Sequence, residues 1–128
     1  PNMLHTILAL LNGDGDLNFV DDQVGCPTFV DDLAAGLLCL VEAHATGHFH
    51  LTNADPISWF GFAQEVAQAS GHDPKRVLPV STSGLTLSRP APRPANSVLA
   101  NQSFIAAGFA PLRSHRHALA QSMDTYFD

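Results

Sequence analysis

The chain has 128 residues, which suits a single domain, 1–128, burying roughly two-thirds of the surface its unfolded form exposes. A net charge of −6, with only 6 Lys and Arg, excludes a general nucleic-acid binder, which needs a basic face. Hydrophobic residues make up 45%, yet no apolar run approaches the roughly 20 residues that cross a bilayer, so no membrane partner is expected.

Met3–Leu11 carries Leu4, Ile7, Leu8 and Leu11 at i, i+3, i+4, i+7 spacing, which predicts an amphipathic helix. Residues 12–15 (NGDG) should end it, with glycine supplying positive φ. Residues 17–20 read as a short strand. From Leu33 to Ala45 the pattern is helical, with Leu33, Leu37, Leu40, Val41 and His44 on one face. Asp31 or Asp32 stands where an N-cap belongs, and Gly47 where a C′ glycine belongs. Residues 48–52 (HFHLT) alternate and predict a strand, one that looks for neighbours this chain does not contain. Ser58 should cap a helix over 59–70, with Trp59, Phe62, Ala63, Val66 and Ala67 inward and Gly71 closing it. Val77–Val80 reads as a strand and 81–96 as loop. A short helix over 101–107 should end at Gly108. Ser114 should cap a last helix, with Leu119, Met123 and Tyr126 or Phe127 inward. Alternating strands and crossover helices predict an α/β fold with some parallel pairing.

Four aspartates and Cys26 crowd into residues 21–34, DDQVGCPTFVDDLA. A calcium loop needs closely spaced oxygen ligands, a glycine turn and a terminal Glu. Here an apolar, proline-containing linker separates the pairs. Asp31 and Asp32 therefore read as helix-start residues, worth about 1 kcal/mol. Nothing in the spacing specifies a glycosidase carboxylate pair. His48 and His50 would share a strand face, and His115 and His117 a first helical turn. No third ligand is implied, so a solvated face is preferred to a metal site. Cys26 has no basic sequence neighbour to activate it and reads as a packing residue. Cys39, on the helix, reads as core or near it. Two cysteines are too few for a disulfide framework, which favours a reduced, cytoplasmic setting. The start has no basic region or small-residue cleavage site of a signal peptide. Its abrupt apolar periodicity gives the expectation of a chain cut from something longer. A GxSxG elbow is absent, and Asp14 and Asp16 make residues 13–15 a poor phosphate loop. In SRPAPRPANS, 88–97, Arg89 and Arg93 sit in a proline-stiffened loop. A guanidinium fork fits phosphate oxygens; an ordinary exposed basic loop fits the same residues.

Three stretches, in order, carry a resemblance. DDQVGCPTFVDDLA resembles the signature DDQ-x-G-x-P-T-x-x-x-DLA of the dTDP-4-dehydrorhamnose reductases. GHFHLTNADPISWFGFAQEVAQASG resembles that family's G-x-[YF]-H-L-[ST]-N…S-W-[YF]-x-F-A segment, and RPANSVLANQSFIAAGF its RPANSVLD…L…GF segment. These are extended short-chain dehydrogenase/reductases. The resemblance implies reduction of the 4-keto group of dTDP-4-dehydro-6-deoxy-L-mannose to dTDP-L-rhamnose, with NADPH or NADH as cofactor of the full-length enzyme. It implies the C-terminal part of such an enzyme: α/β, few short strands with packing helices, the Rossmann dinucleotide half absent. The only tyrosine is Tyr126 and the only lysine is Lys75, so the family's catalytic Tyr-x-x-x-Lys cannot exist here. No catalytic residue is assigned, and none of the cofactors is expected to bind this chain alone. By the resemblance Arg93 contacts the diphosphate of a dTDP-sugar, with Asn96 nearby, and Gln23 and Thr28 line the cleft or hold its loop. Three departures stand out. Ala100 replaces the usual Asp, Cys26 replaces a common Ser, and Arg113-Ser114 stand where a Trp is frequent. Two rival readings are a non-catalytic regulatory module, as in the regulatory subunit of methionine adenosyltransferase, and a small metal-dependent hydrolase. Unpaired strand edges and an uncovered apolar face imply self-association or a missing Rossmann half.

Overall fold

The computed structural model describes residues 2–85 and 91–127, apart from the side chains of 126 and 127. The expectations for Arg89 and for Tyr126 or Phe127 fall outside those descriptions. Helix α1, Met3–Leu11, matches its apolar spacing and buries Ile7, Leu8 and Leu11. Asn2 caps it, its Oδ1 accepting from the His5 N–H at 3.0 Å. The far end departs from expectation, because neither Gly13 nor Gly15 has a positive φ. Instead the Arg76 guanidinium donates to the carbonyls of Leu11 at 3.0 Å, Gly15 at 2.9 Å and Gly13. A cation 65 residues away in sequence thus satisfies the carbonyl end of α1 and its turn.

Strand β1, Leu17–Val20, pairs in parallel with β4, Val77–Val80, with Leu17 opposite Val77 and Val20 opposite Val80. Between them in sequence, β2, Val24–Gly25, pairs antiparallel with β3, Ile57–Ser58. The fold is α/β with few short strands, as predicted. Helix α3, Trp59–Ala69, begins at its predicted cap: Ser58 Oγ accepts from the Gly61 N–H at 3.1 Å. Gly71, at φ +77°, follows its end. Phe62, Ala63, Val66 and Ala67 of α3 form the core with Ile7, Leu8, Leu11, Val77, and Leu119 and Met123 of α5, His115–Phe127. Ser114 Oγ accepts from the Arg116 N–H at 3.2 Å, as a cap should. Helix α4, Gln102–Ala106, buries Phe104, which stacks on Phe109 with ring centres 4.9 Å apart.

Helix α2, Val30–Glu42, corrects several expectations. Its N-cap is Phe29, so Asp31 and Asp32 lie in the first turn rather than at the cap. The Phe29 N–H is satisfied by Asn53 Oδ1 at 2.8 Å. At the other end His44, at φ +49°, makes the left-handed reversal expected of Gly47, and the helix stops three residues early. The inward face is Leu33, Gly36 and Leu40; at Gly36 the backbone packs closely on Leu51 and Leu112, and a Cβ there would lie 2.5 Å from Leu51 Cδ2, so that side chain would have to move. Leu37, Val41 and His44, expected inward, are exposed, and so is Cys39, which is not core.

The predicted strand over 48–52 does not form. The described residues offer it no neighbouring strand. The side chain of Asn101 takes the place of one, accepting from the Thr52 N–H at 3.1 Å and donating to the Thr52 carbonyl at 2.7 Å. No helix among the described residues is long and apolar enough to cross a membrane.

Candidate functional site

The four aspartates of 21–34 have different tasks. Asp21 accepts from Ser58 Oγ at 2.7 Å and steadies the cap of α3. Asp22 accepts from the Thr82 hydroxyl at 2.6 Å and from the Thr82 N–H at 2.9 Å. These bonds, the hydroxyl first, hold its carboxyl below the ordinary carboxylate range. Asp32 accepts from Arg113 Nε at 2.9 Å and from Asn53 Nδ2 at 2.6 Å. Burial pushes Asp32 up, but the Arg113 and Asn53 hydrogen bonds and the Arg113 charge outweigh it and hold the carboxyl low. Asp31 is exposed. Among the described residues no group of three or more His, Cys, Asp or Glu could hold a metal ion.

Histidine 115 is fully buried, with Nε2 2.9 Å from Glu65 Oε2 and Nδ1 3.2 Å from the Ala54 carbonyl. It ties α5 to α3 and is a structural residue rather than a solvated one. His48 and His50 are exposed.

Two cavities flank the α3 start. One, of about 630 Å³, is lined by residues that include Asn18, Gln23, Trp59, Thr82, Ser83 and Arg93. The other, of about 580 Å³, is lined by residues that include His5, Thr28, Asp31, Trp59 and Arg113. Met3 and Trp59 belong to both walls.

The expected site residues therefore divide. Gln23 and Arg93 meet in the first cavity. Thr28 lines the second, where its hydroxyl donates to the Cys26 carbonyl at 3.0 Å. Asn96 lines neither; its Oδ1 accepts from the Val98 N–H at 2.9 Å, and its backbone bridges to Val24. Among the described arginines, Arg76, Arg113 and Arg116 are committed to protein oxygens. Arg93 has no hydrogen bond or ion pair among the described residues. It lines a cavity, and none of its donors is spent on another described residue. Trp59, expected in the core, is 37% exposed at the cavity wall. Its place in the first turn, ahead of the inward-facing Phe62, is the signal that could have separated it from the buried face. Asn18 and Thr82 carry no motif and were not legible.

The family model described as "RmlD substrate binding domain" matches residues 1–127. The chain belongs to that family. It is 44% identical over 115 residues to the dTDP-4-dehydrorhamnose reductase of Mycobacterium tuberculosis, covering 89% of this chain and 37% of that protein. Among solved structures, the dTDP-4-dehydrorhamnose reductase of Clostridium acetobutylicum superposes with a TM-score of 0.93 at 33% identity, over 100% of this chain and 45% of that one. The Bacillus anthracis dTDP-4-dehydrorhamnose reductase, solved in complex with NADP, gives 0.86 at 28% identity, over 94% and 42%. The chain thus spans less than half the length of these relatives.

Residues 13–15 do not offer a cradle to the phosphates of the dinucleotide that the last of these structures contains. The one GxG, residues 13–15, turns carbonyls rather than N–H groups toward its neighbour, and those carbonyls are filled by Arg76. A phosphate cradle needs the reverse polarity.

Proposed function

We propose that this chain is the sugar-nucleotide-binding part, 1–128, of a cytoplasmic reductase that converts dTDP-4-dehydro-6-deoxy-L-mannose to dTDP-L-rhamnose. The relatives support the substrate class, and two free cysteines suit a reduced setting. The observation that carries the reading is Arg93, an arginine without a protein partner among the described residues, facing a cavity of nucleotide size beside Gln23. Its guanidinium would hold the diphosphate through charge-assisted bonds. Asn18, Gln23 and Ser83 would meet the rest of the ligand. Thr28 and Asn96 are then loop-holding residues, given the bonds they make.

In this reading the chain binds and orients. NADPH or NADH would supply the hydride, and a proton donor would sit near the keto oxygen. Both come from the length of the relatives that this chain does not span, and these residues alone reduce nothing. Titration calorimetry with dTDP tests binding. Millimolar or tighter affinity is expected, weakened about tenfold or more in Arg93→Ala, since a hydrogen bond to a charged group is worth about 1.5–3 kcal/mol. An absence of dTDP binding would favour a non-catalytic module on the same fold. NAD(P)H oxidation by the chain alone, with the keto sugar present, would sink the claim of inactivity.

A further inference from the structure

Histidine 115, the first residue of α5, has no exposed surface. Both of its ring nitrogens meet oxygen: Nε2 lies 2.9 Å from Glu65 Oε2, and Nδ1 lies 3.2 Å from the Ala54 carbonyl. A neutral imidazole has one N–H and one lone pair, whereas the imidazolium has two N–H donors. The Ala54 carbonyl has no proton to give. Glu65 has its other oxygen on the Arg116 guanidinium, 2.9 Å from Nε and 2.8 Å from Nη2, an arrangement that a carboxylate anion makes. The ring must therefore supply both protons. A neutral ring would set a nitrogen lone pair against an oxygen lone pair, and a fully buried ring has no solvent to turn to instead.

Few groups surround the ring. From α3 come Glu65 and the uncharged Phe62, edge-on with ring centres 6.1 Å apart. From α5 comes Arg116, which also reaches Asp55 Oδ2 at 3.4 Å. Asp55 stands at φ +67° in the turn that leads into β3 and the start of α3. Two neighbours on α5 thus fasten that turn, and the two arms of His115 are unequal. Its Nε2 bond to a carboxylate is charge-assisted. Its Nδ1 bond goes to a carbonyl that already accepts the His115 backbone N–H at 3.2 Å. We propose that His115 is a proton-operated joint. With both protons it clamps α3, α5 and the turn at 54–55 together. On losing one it keeps Glu65 and sets a lone pair against the Ala54 carbonyl, which releases the turn. The joint therefore adds stability on the acid side of the ordinary histidine range, about 6.5, and that stability is lost as pH rises.

Magnetic resonance of the wild-type chain with 15N-labelled histidine tests this. At pH 7.5 an exposed ring such as His48 or His50 carries its second proton in only about one molecule in ten. His115 should still show both ring N–H groups. Its contact with Phe62 identifies its signals, and their loss in His115→Gln checks the assignment. From pH 7.5 to 9.5 the wild-type urea midpoint should fall. Over the same range the Ala54 amide should lose about tenfold in protection from hydrogen exchange, beyond the rise intrinsic to the exchange chemistry. Glu65→Gln removes the anion that favours the second proton. In that variant His115 should titrate together with His48 and His50, and the urea midpoint should stay level from pH 7.5 to 9.5. A His115 ring with a single N–H at pH 7.5 in the wild-type chain overturns the joint. A wild-type midpoint that stays level to pH 9.5 overturns it as well, because the proton then does not operate the turn. The wild-type spectra and melts decide the matter even where neither variant folds.

Discussion

Asparagine 53 does more than any single motif residue to hold the loop between β2 and α2. It is fully buried, its Oδ1 accepts from the Phe29 N–H, and its Nδ2 donates to Asp32 and to the Arg113 carbonyl. One amide thus caps α2 from outside the helix and links it to the approach to α5. Asn53→Ala should cost about 1–3 kcal/mol, the penalty for stranding a buried donor and acceptor. Asn53→Asp should be worse at neutral pH, because it places a second carboxylate against Asp32, and should recover part of the loss at acid pH. Urea melts of the two variants at pH 7 and pH 4 check this; unchanged midpoints would show that the amide is replaceable by water. The residue was visible in the sequence only as one letter of HLTN. Its partners lie 24, 21 and 60 positions away, and no local pattern carries such separations.

Local rules read whole elements well where one periodicity and one cap agree. Helices α1 and α3 fall where spacing and Ser58 place them, and strands β1 and β4 form over the short segments read as strands, whereas the one alternating segment, 48–52, does not. They fail where a distant group takes over a local job. Arg76 replaces the glycine turn after α1, and Asn101 replaces a strand beside 48–52. In α2 the apolar positions cover so much of the helix that periodicity could not choose a face. Gly36 chose it, through close approach to Leu51 and Leu112. The candidate site was half legible for the same reason: Gln23 and Arg93 belong to motifs, whereas Thr82 joins the site through bonds with Asp22 and Gln23, 60 and 59 positions away. The consequence for stability is a contrast between faces. Ile7→Ala, at a position with no exposure, should cost about 2–5 kcal/mol. Val41→Lys, at a position 69% exposed, should change stability by less than about 0.5 kcal/mol despite removing an aliphatic side chain. Equal losses in chemical denaturation would mean that α2 buries its outer face after all.

For the molecule as a whole, acid is the condition that tests how these contacts combine. Asp22 and Asp32 both have carboxyls held below their ordinary value of 3.8. A native state with a lowered carboxylate pKa binds fewer protons than the unfolded chain. Its contribution to stability is therefore complete above the unfolded value and is lost as pH falls through the lower native value. Unfolding should become progressively easier below about pH 4. The contacts at risk join separate parts of the fold: Asp22 holds the turn after β4 and Asp32 holds Arg113 before α5. Asp32→Asn isolates one of them. At pH 7 the variant lacks the ion pair to Arg113 and should melt below wild type. As pH falls, the wild-type carboxyl takes up a proton and comes to resemble the amide, so the two melting temperatures should converge as pH drops below the ordinary carboxylate value of 3.8. A gap that stays constant from pH 7 to acid would show that the Asp32 charge contributes nothing and that the variant suffers from altered packing alone.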